Sequence, residues 1–231
     1  MDVYIGYDSR EDEAYRVCEF SILENTRSDL RITPLVLADL MEAGLYTREP
    51  DEKASTEFVY SRFLVPHLMG YKDWAMFVDC DFVFTRSLEE LWDMRDNKYA
   101  VMVVQHNYVP FNDLKMDGRV QYAYPRKNWS SLILFNCKHK SNKALTKYVV
   151  NTARPKYLHR FLWLDDKEIG KIPLEWNFLV GEYKPTETLP AGIHYTNGGP
   201  WFQNCKKVDY ANVWEDYRDR WQSQVNNQQQ S

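Results

Sequence analysis

Phe77-Val78-Asp79-Cys80-Asp81-Phe82-Val83-Phe84 sets two carboxylates one residue apart inside an otherwise apolar run. Residues i and i+2 of an extended segment point the same way, roughly 6–7 Å apart. Both carboxylates could therefore reach one hard cation. Burying two like charges side by side is unfavourable without such a cation or other strong partners. The run continues a central-strand candidate, Trp74 to Val78, and the rest of the chain reads as a scaffold for it.

Upstream, Asp2 to Tyr7 reads as a strand ending at Gly6-Tyr7-Asp8. Ser9 with Asp12 resembles a helix N-cap pairing, and Ala14, Val17, Cys18 and Ile22 follow at helical spacing. Ile32 to Leu37 is a second strand. Strand, helix, strand is a βαβ start, and ligands of open parallel sheets gather beyond the strands' carboxyl ends. Gly6, Tyr7 and Asp8 belong there, unless they form only a glycine turn with a surface acid. Thr56 to Leu68 has helical character, ended near Pro66, and carries Arg62. An arginine in an apolar helix covers its neighbours with its stem or pairs with an acid. Here it could orient one of the two aspartates.

Downstream, Ser87 could cap a helix from Leu88 to Met94, and Tyr99 to Val104 is another apolar strand. Residues 105–128 lack long periodicity, as expected of a loop over a site. Ser131 to Phe135 is again strand-like, Ser141 to Val150 helical, and Ala211 to Trp221 a closing helix. The fold class is therefore α/β: one domain over residues 1–221, with a Rossmann-like, mostly parallel central sheet flanked by helices. The Gln/Asn-rich residues 222–231 read as a disordered polar tail.

The chain has 231 residues, 29 basic and 33 acidic, for a net charge of −4. No basic stripe of the kind nucleic-acid binding uses is visible. Aromatic residues make up 15%, which suits sugar stacking and a packed core equally. Cys18, Cys80, Cys137 and Cys205 are far apart and form no CxxC pair, which fits reduced thiols and a cytoplasmic location. There is no secretory signal pattern and no run of about 18 apolar residues, so no transmembrane segment is expected.

Two later stretches bear on chemistry. Trp163-Leu164-Asp165-Asp166 puts adjacent acids after an apolar run, and neighbours in a strand face opposite ways. Ile193-His194-Tyr195-Thr196-Asn197-Gly198-Gly199-Pro200-Trp201 joins a histidine to a glycine turn whose amides could cradle phosphate oxygens. That histidine is either structural or a ligand.

Taken together, the first strand, the Arg62 helix, FVDCD, WSSLILFN, LDD, PLEWN and HYTNGGPW resemble the retaining GT-A-fold glycosyltransferases of family eight, the glycogenin and galactosyltransferase group. The resemblance covers most of residues 2–202. It implies that Asp79, Asp81 and His194 bind one divalent ion, Mn²⁺ or alternatively Mg²⁺. It implies a nucleotide-sugar donor, a UDP-hexose, contacted by Gly6, Tyr7, Asp8, Cys80, Ser130, Ser131, Asn197, Gly198 and Gly199, with Arg62 and Asp79 holding the sugar. The acceptor, whether saccharide, lipid-linked sugar or protein, and any homo-oligomer are left open.

Three departures stand out. Trp129-Ser130-Ser131 replaces the family's Asn-Ala-Gly run, so donor-sugar recognition differs. The family's Lys before Pro-Trp is Gly199 here, and Lys206, Lys207 or backbone amides must meet the phosphate charge. Asp165-Asp166 stands for the Asp-Gln segment, as nucleophile or electrostatic stabiliser. Two other classes compete. One is a haloacid-dehalogenase-like phosphatase using Asp79, Asp81, Lys143 and Asp165-Asp166; the other is a non-catalytic carbohydrate-binding module.

Overall fold

The computed structural model describes residues 1–49, 51, 54–107 and 125–229. Residues 108–124, most of the loop expected over the site, lie outside the described residues. Among the described residues, nine strands follow in chain order: β1 (Asp2–Gly6), β2 (Arg31–Leu35), β3 (Trp74–Val78), β4 (Phe82–Phe84), β5 (Val101–Val104), β6 (Leu132–Asn136), β7 (Ile169–Ile172), β8 (Phe178–Leu179) and β9 (Gly192–His194). The α-helices are α1 (Asp12–Asn25), α2 (Leu37–Glu42), α3 (Val65–Leu68), α4 (Leu88–Asp93), α5 (Lys147–Thr152), α6 (Pro155–His159) and α7 (Ala211–Gln229).

The main sheet has six strands in the order β2-β1-β3-β6-β5-β7. Only β6 runs against the others, pairing antiparallel with β3 and β5. The βαβ start and the mostly parallel sheet are as expected from the sequence. Every residue of β3 and β6 is buried, which is why they read as continuous apolar runs rather than alternating ones. Pro34 is tolerated in β2 because that strand is an edge and needs no second ladder. A smaller three-stranded sheet, β4-β9-β8, packs with α1 and α7 around Val17, Val83, Ile193, Tyr195, Trp214 and Tyr217. Gly192 in β9 is dictated by close approach: a Cβ there would lie 2.3 Å from the Trp176 carbonyl oxygen.

Four local expectations are corrected. The run from Phe77 to Phe84 is two strands in different sheets, broken by a turn at Cys80 and Asp81. Thr56 to Leu68 is not one helix ended by Pro66. It is a 3-10 turn over Ser61–Leu64 followed by α3, in which Pro66 occupies the first turn, where a missing amide costs nothing. Ser141 to Val150 divides into a 3-10 turn, Lys140–Ala144, and α5. Residues 222–229, expected as a disordered tail, continue α7. Trp221 and Val225, both half-buried, extend the buried stripe of Trp214 and Tyr217 at helical spacing, and the Gln and Asn residues between them do not break a helix.

Candidate active site

The two aspartates converge through a change of sheet. At the end of β3, the Asp79 amide donates to the Ser131 carbonyl at 2.9 Å. The chain turns at Cys80-Asp81 and enters β4, where Phe82 registers with His194 of β9. The two rings stack with centroids 4.3 Å apart, and the Tyr195 amide donates to the Asp81 carbonyl at 2.9 Å. These contacts bring His194 Nε2 within 3.3 Å of Asp81 Oδ2. Ligand atoms of Asp79, Asp81 and His194 all lie within 4.8 Å of one another. Extended geometry was expected to align the carboxylates; the turn does so instead, and it recruits the histidine of the second sheet.

Arg62 supplies a counter-charge from beneath. Its Nη1 donates to Asp79 Oδ1 and to the Ser130 carbonyl, both at 2.7 Å. The guanidinium lies 5.2 and 4.9 Å from the ring centres of Phe58 and Phe77. Arg62 therefore orients Asp79 rather than merely covering apolar neighbours. On the other side, His194 Nδ1 donates to Asn177 Oδ1 at 2.8 Å. Asn177, in the PLEWN stretch, was not picked out as a site residue from the sequence; a short polar side chain after an apolar turn carries no spacing signal.

A cleft of about 210 Å³ opens beside Asp81, lined by Arg10, Glu11, Thr56, Asn197 and Gly198 among others. Burial, then the charges of Asp81 and Asp8, push Glu11 up to about 8. Acids crowded in this way favour a bound cation. Asp8 is itself buried; burial alone would raise its carboxyl, but bonds from the Arg10 side chain and amide and from the Glu57 amide hold it low. Asp8 thus fastens the 55–57 segment to the end of β1. Tyr7 donates to Asp12 Oδ1 at 2.9 Å. Gly6 admits the Phe58 ring, which a Cβ would meet at 2.4 Å, so its role in the structure is packing.

Other expected site residues are placed differently. Cys80 is 1% exposed, and burial raises its thiol well above the usual range, so its side chain belongs to the core. Ser130 and Ser131 are buried and bonded internally, Ser130 Oγ to His159 Nδ1 at 2.9 Å and Ser131 Oγ to the Asn128 carbonyl at 2.7 Å. Asn197 Nδ2 donates to Glu182, and Gly198 takes φ +110°, a conformation suited to glycine. Gly199 leaves room for the Trp201 ring. Lys206 is exposed directly after Asn204 and Cys205 of the cleft wall.

Asp165 and Asp166 are not brought to the cluster. They precede the amino-terminal end of β7, which runs with β5 and β3, whereas Asp79 follows the carboxyl end of β3. Their side chains are 74% and 90% exposed. Asp165 forms a capping box with Glu168, and Asp166 pairs with Arg126. Of these two adjacent acids before a strand, Asp165 caps a turn and Asp166 is an ion-pair partner, uses their sequence cannot distinguish from catalysis. The phosphatase reading falls with them, since Lys143 also follows β6 at that far end.

Two histidines of this region carry a pH consequence. Burial pushes both His106 and His159 down to about 3, helped by His194 and by Arg62 respectively. The unfolded chain binds their protons near 6.5. Stability is therefore full above about pH 6.5 and falls toward pH 3, by about 1.4 kcal/mol per unit for each histidine. The expected thermal midpoint at pH 5 is several degrees below that at pH 7.5, with His159→Phe narrowing the gap. Equal midpoints would show that both rings accept protons in the folded state.

A predominantly parallel sheet with a carboxylate-bearing turn beyond its central strand is the GT-A arrangement, and solved structures share that fold. The bifunctional glycosyltransferase WbbM superposes with a TM-score of 0.63 at 19% identity, over 100% of this chain and 52% of that one. GlyE of Streptococcus pneumoniae gives 0.62 at 17%, over 94% and 60%. The galactosyltransferase LgtC, solved with donor and acceptor sugar analogues, gives 0.58 at 15%, over 95% and 96%. The chain thus spans between half and two thirds of the WbbM and GlyE chains. The family model described as glycosyl transferase family 8 matches residues 12–205, and the chain belongs to that family of glycosyltransferases. It is 51% identical to Protein CDI of Arabidopsis thaliana over 216 residues, 92% of this chain and 83% of that protein. No helix among the described residues is long and apolar enough to cross a membrane.

Proposed function

We propose that this glycosyltransferase moves a hexosyl group from a nucleotide sugar, a UDP-hexose, to a saccharide, lipid-linked or protein acceptor with retention at the anomeric carbon. The observation that carries this reading is the convergence of Asp79, Asp81 and His194 at the edge of an open cleft. Two carboxylates and an imidazole suit Mn²⁺, and Mg²⁺ is the alternative with a weaker preference for nitrogen. Bound there, the ion supplies Lewis-acid neutralisation of a departing nucleoside diphosphate.

The chain's own residues do the rest. Arg62 holds Asp79 in place, and Asn177 does the same for His194. Gly198 donates its own amide to the Tyr195 carbonyl at 2.7 Å, so Asn197, Gly199 and the nearby Lys206 are the donors we assign to phosphate oxygens. Arg10, Glu11 and Thr56 form the facing wall, where we place the nucleoside. Transfer proceeds by front-face displacement: the acceptor oxygen bonds to the anomeric carbon on the side where the bond to the diphosphate breaks, and the acceptor's proton passes to the departing diphosphate oxygen. The four cysteines are all buried thiols, which supports a reducing compartment such as the cytoplasm.

Incubating the full chain with a panel of UDP-sugars is expected to release UDP only with Mn²⁺ or Mg²⁺ present. No release from any sugar nucleotide, combined with turnover of a phosphate monoester, overturns the transferase reading; an inverted anomeric centre by NMR overturns the stereochemistry. Asp166→Ala is expected to leave the release rate within about twofold, because an exposed ion pair at the far end of the sheet carries little energy. A drop of tenfold or more would return that carboxylate to the reacting centre.

A further inference from the structure

Asn177 is fully buried, directly after the 3-10 turn Leu174–Trp176 and before β8. Its Nδ2 donates to Ser131 Oγ at 2.8 Å and to the Asn128 carbonyl at 3.4 Å, while its Oδ1 faces His194 Nδ1 at 2.8 Å. The direction of this chain follows from its far end. A backbone carbonyl only accepts, and the Asn128 oxygen already takes the Ser131 hydroxyl hydrogen at 2.7 Å. With that hydrogen committed, Ser131 Oγ can only accept from Asn177. The amide must therefore turn its NH₂ toward Ser131 and Asn128, and its oxygen toward His194. An oxygen in that position requires a hydrogen on His194 Nδ1.

A reversed amide would set Oδ1 against the Asn128 carbonyl and leave the Ser131 lone pairs without a donor. Neither mismatch is relieved by water, because Asn177 and Ser131 are both buried. Asn128, held at φ 61°, points its carbonyl into this position. Ser131 also accepts the Asp79 amide on its own carbonyl, so one residue fixes both the aspartate arm and the histidine arm.

We propose that Asn177 is a positioning residue that locks His194 in the Nδ1–H form, so that Nε2, the atom facing Asp81, is the nitrogen offered to a divalent cation. This inference rests on the metal reading above. Partners of this kind set ring orientation and ligand basicity at imidazole sites, and their removal weakens metal binding about 10–100-fold.

The test uses the full chain, ¹⁵N-labelled at histidine, with Mn²⁺ alone as the titrant. Metal-free spectra at a pH where His194 is neutral are expected to show the hydrogen on Nδ1. Asn177→Leu, which cannot accept it, is expected to lose that preference and to bind Mn²⁺ about 10–100-fold more weakly by calorimetry. Asn177→Asp keeps an acceptor oxygen toward His194 and is expected to retain the tautomer, while its second oxygen, set against Ser131 Oγ and the Asn128 carbonyl, lowers stability. An Nε2–H tautomer in the wild-type protein overturns the proposal even if Asn177→Leu does not fold. Wild-type affinity in a folded Asn177→Leu does so as well. Absence of Mn²⁺ binding by the wild-type protein overturns the metal reading instead, while the tautomer, read without metal, still decides the role of Asn177.

Discussion

Asp81→Ala is expected to abolish metal-dependent UDP release, a loss of about three orders of magnitude or more. A Lewis acid contributes several kcal/mol to a developing leaving-group charge, and each 1.36 kcal/mol is about tenfold in rate. The loss should not come from unfolding. Asp81 holds the β4–β9 junction through its backbone carbonyl, which accepts from Tyr195 and survives the substitution. Its side chain adds negative charge beside Glu11, whose carboxyl is already pushed up to about 8 by burial and by Asp81. Removing that charge relieves repulsion, so the metal-free variant is expected to be at least as stable as wild type. The two proteins should separate only when ligand is added. At 100 times the dissociation constant, bound ligand stabilises the folded state by about 2.7 kcal/mol, a shift that Mn²⁺ with UDP produces in wild type alone. Thermal scans with and without Mn²⁺ and UDP decide the matter: a variant that keeps the ligand-induced shift takes Asp81 out of the site.

Glu11 offers a second readout of the same substitution. With Asp81 gone, one of the charges that raise its carboxyl is removed, so its titration is expected to move down toward the ordinary range. Burial, the largest cause, remains.

What could be read from the residues alone, and what could not, follows from how each interaction is encoded. Asp79, Asp81 and His194 were legible because carboxylates in an apolar run and a histidine in a glycine turn are chemically out of place. Arg62 was legible for the same reason. The break at Cys80 was not, because β3 and β4 are buried throughout and no glycine or proline marks the turn between them. Which end of a strand a carboxylate occupies is set by topology. Asp165 and Asp166 therefore looked equivalent to site residues until the direction of β7 placed them at the opposite end of the sheet. Asn177 and Ser131 act through hydrogen bonds to distant backbone, and such a pattern leaves no periodicity to detect. The turn that opens α1 differed in a smaller way: Asp8, rather than Ser9, accepts from the Arg10 amide and caps the 3-10 turn that precedes the helix.

Arg62→Met is expected to destabilise the metal-free protein by about 3–5 kcal/mol, the usual cost of removing one partner from a buried ion pair. Methionine keeps an unbranched apolar stem beside Phe58 and Phe77, so the loss is chiefly that of the charge. Asp79 is then left as a buried carboxylate without its guanidinium, and the Ser130 carbonyl loses its donor at 2.7 Å. For a chain of this length, 1 kcal/mol lowers the melting midpoint by about 2–4 °C, so a fall of roughly 6–20 °C is expected. Two further measurements separate this cause from a packing defect. Adding Asp79→Asn to Arg62→Met removes the orphaned charge and is expected to recover part of the loss, a coupling that two independent defects would not show. Saturating Mn²⁺ is expected to narrow the gap between Arg62→Met and wild type, since the ion becomes the counter-charge that the arginine no longer provides. A packing defect would leave the gap the same with and without metal. If the double variant is simply additive and Mn²⁺ changes nothing, Arg62 stabilises the fold through its stem and aromatic contacts, and Asp79 is held by something other than the ion pair.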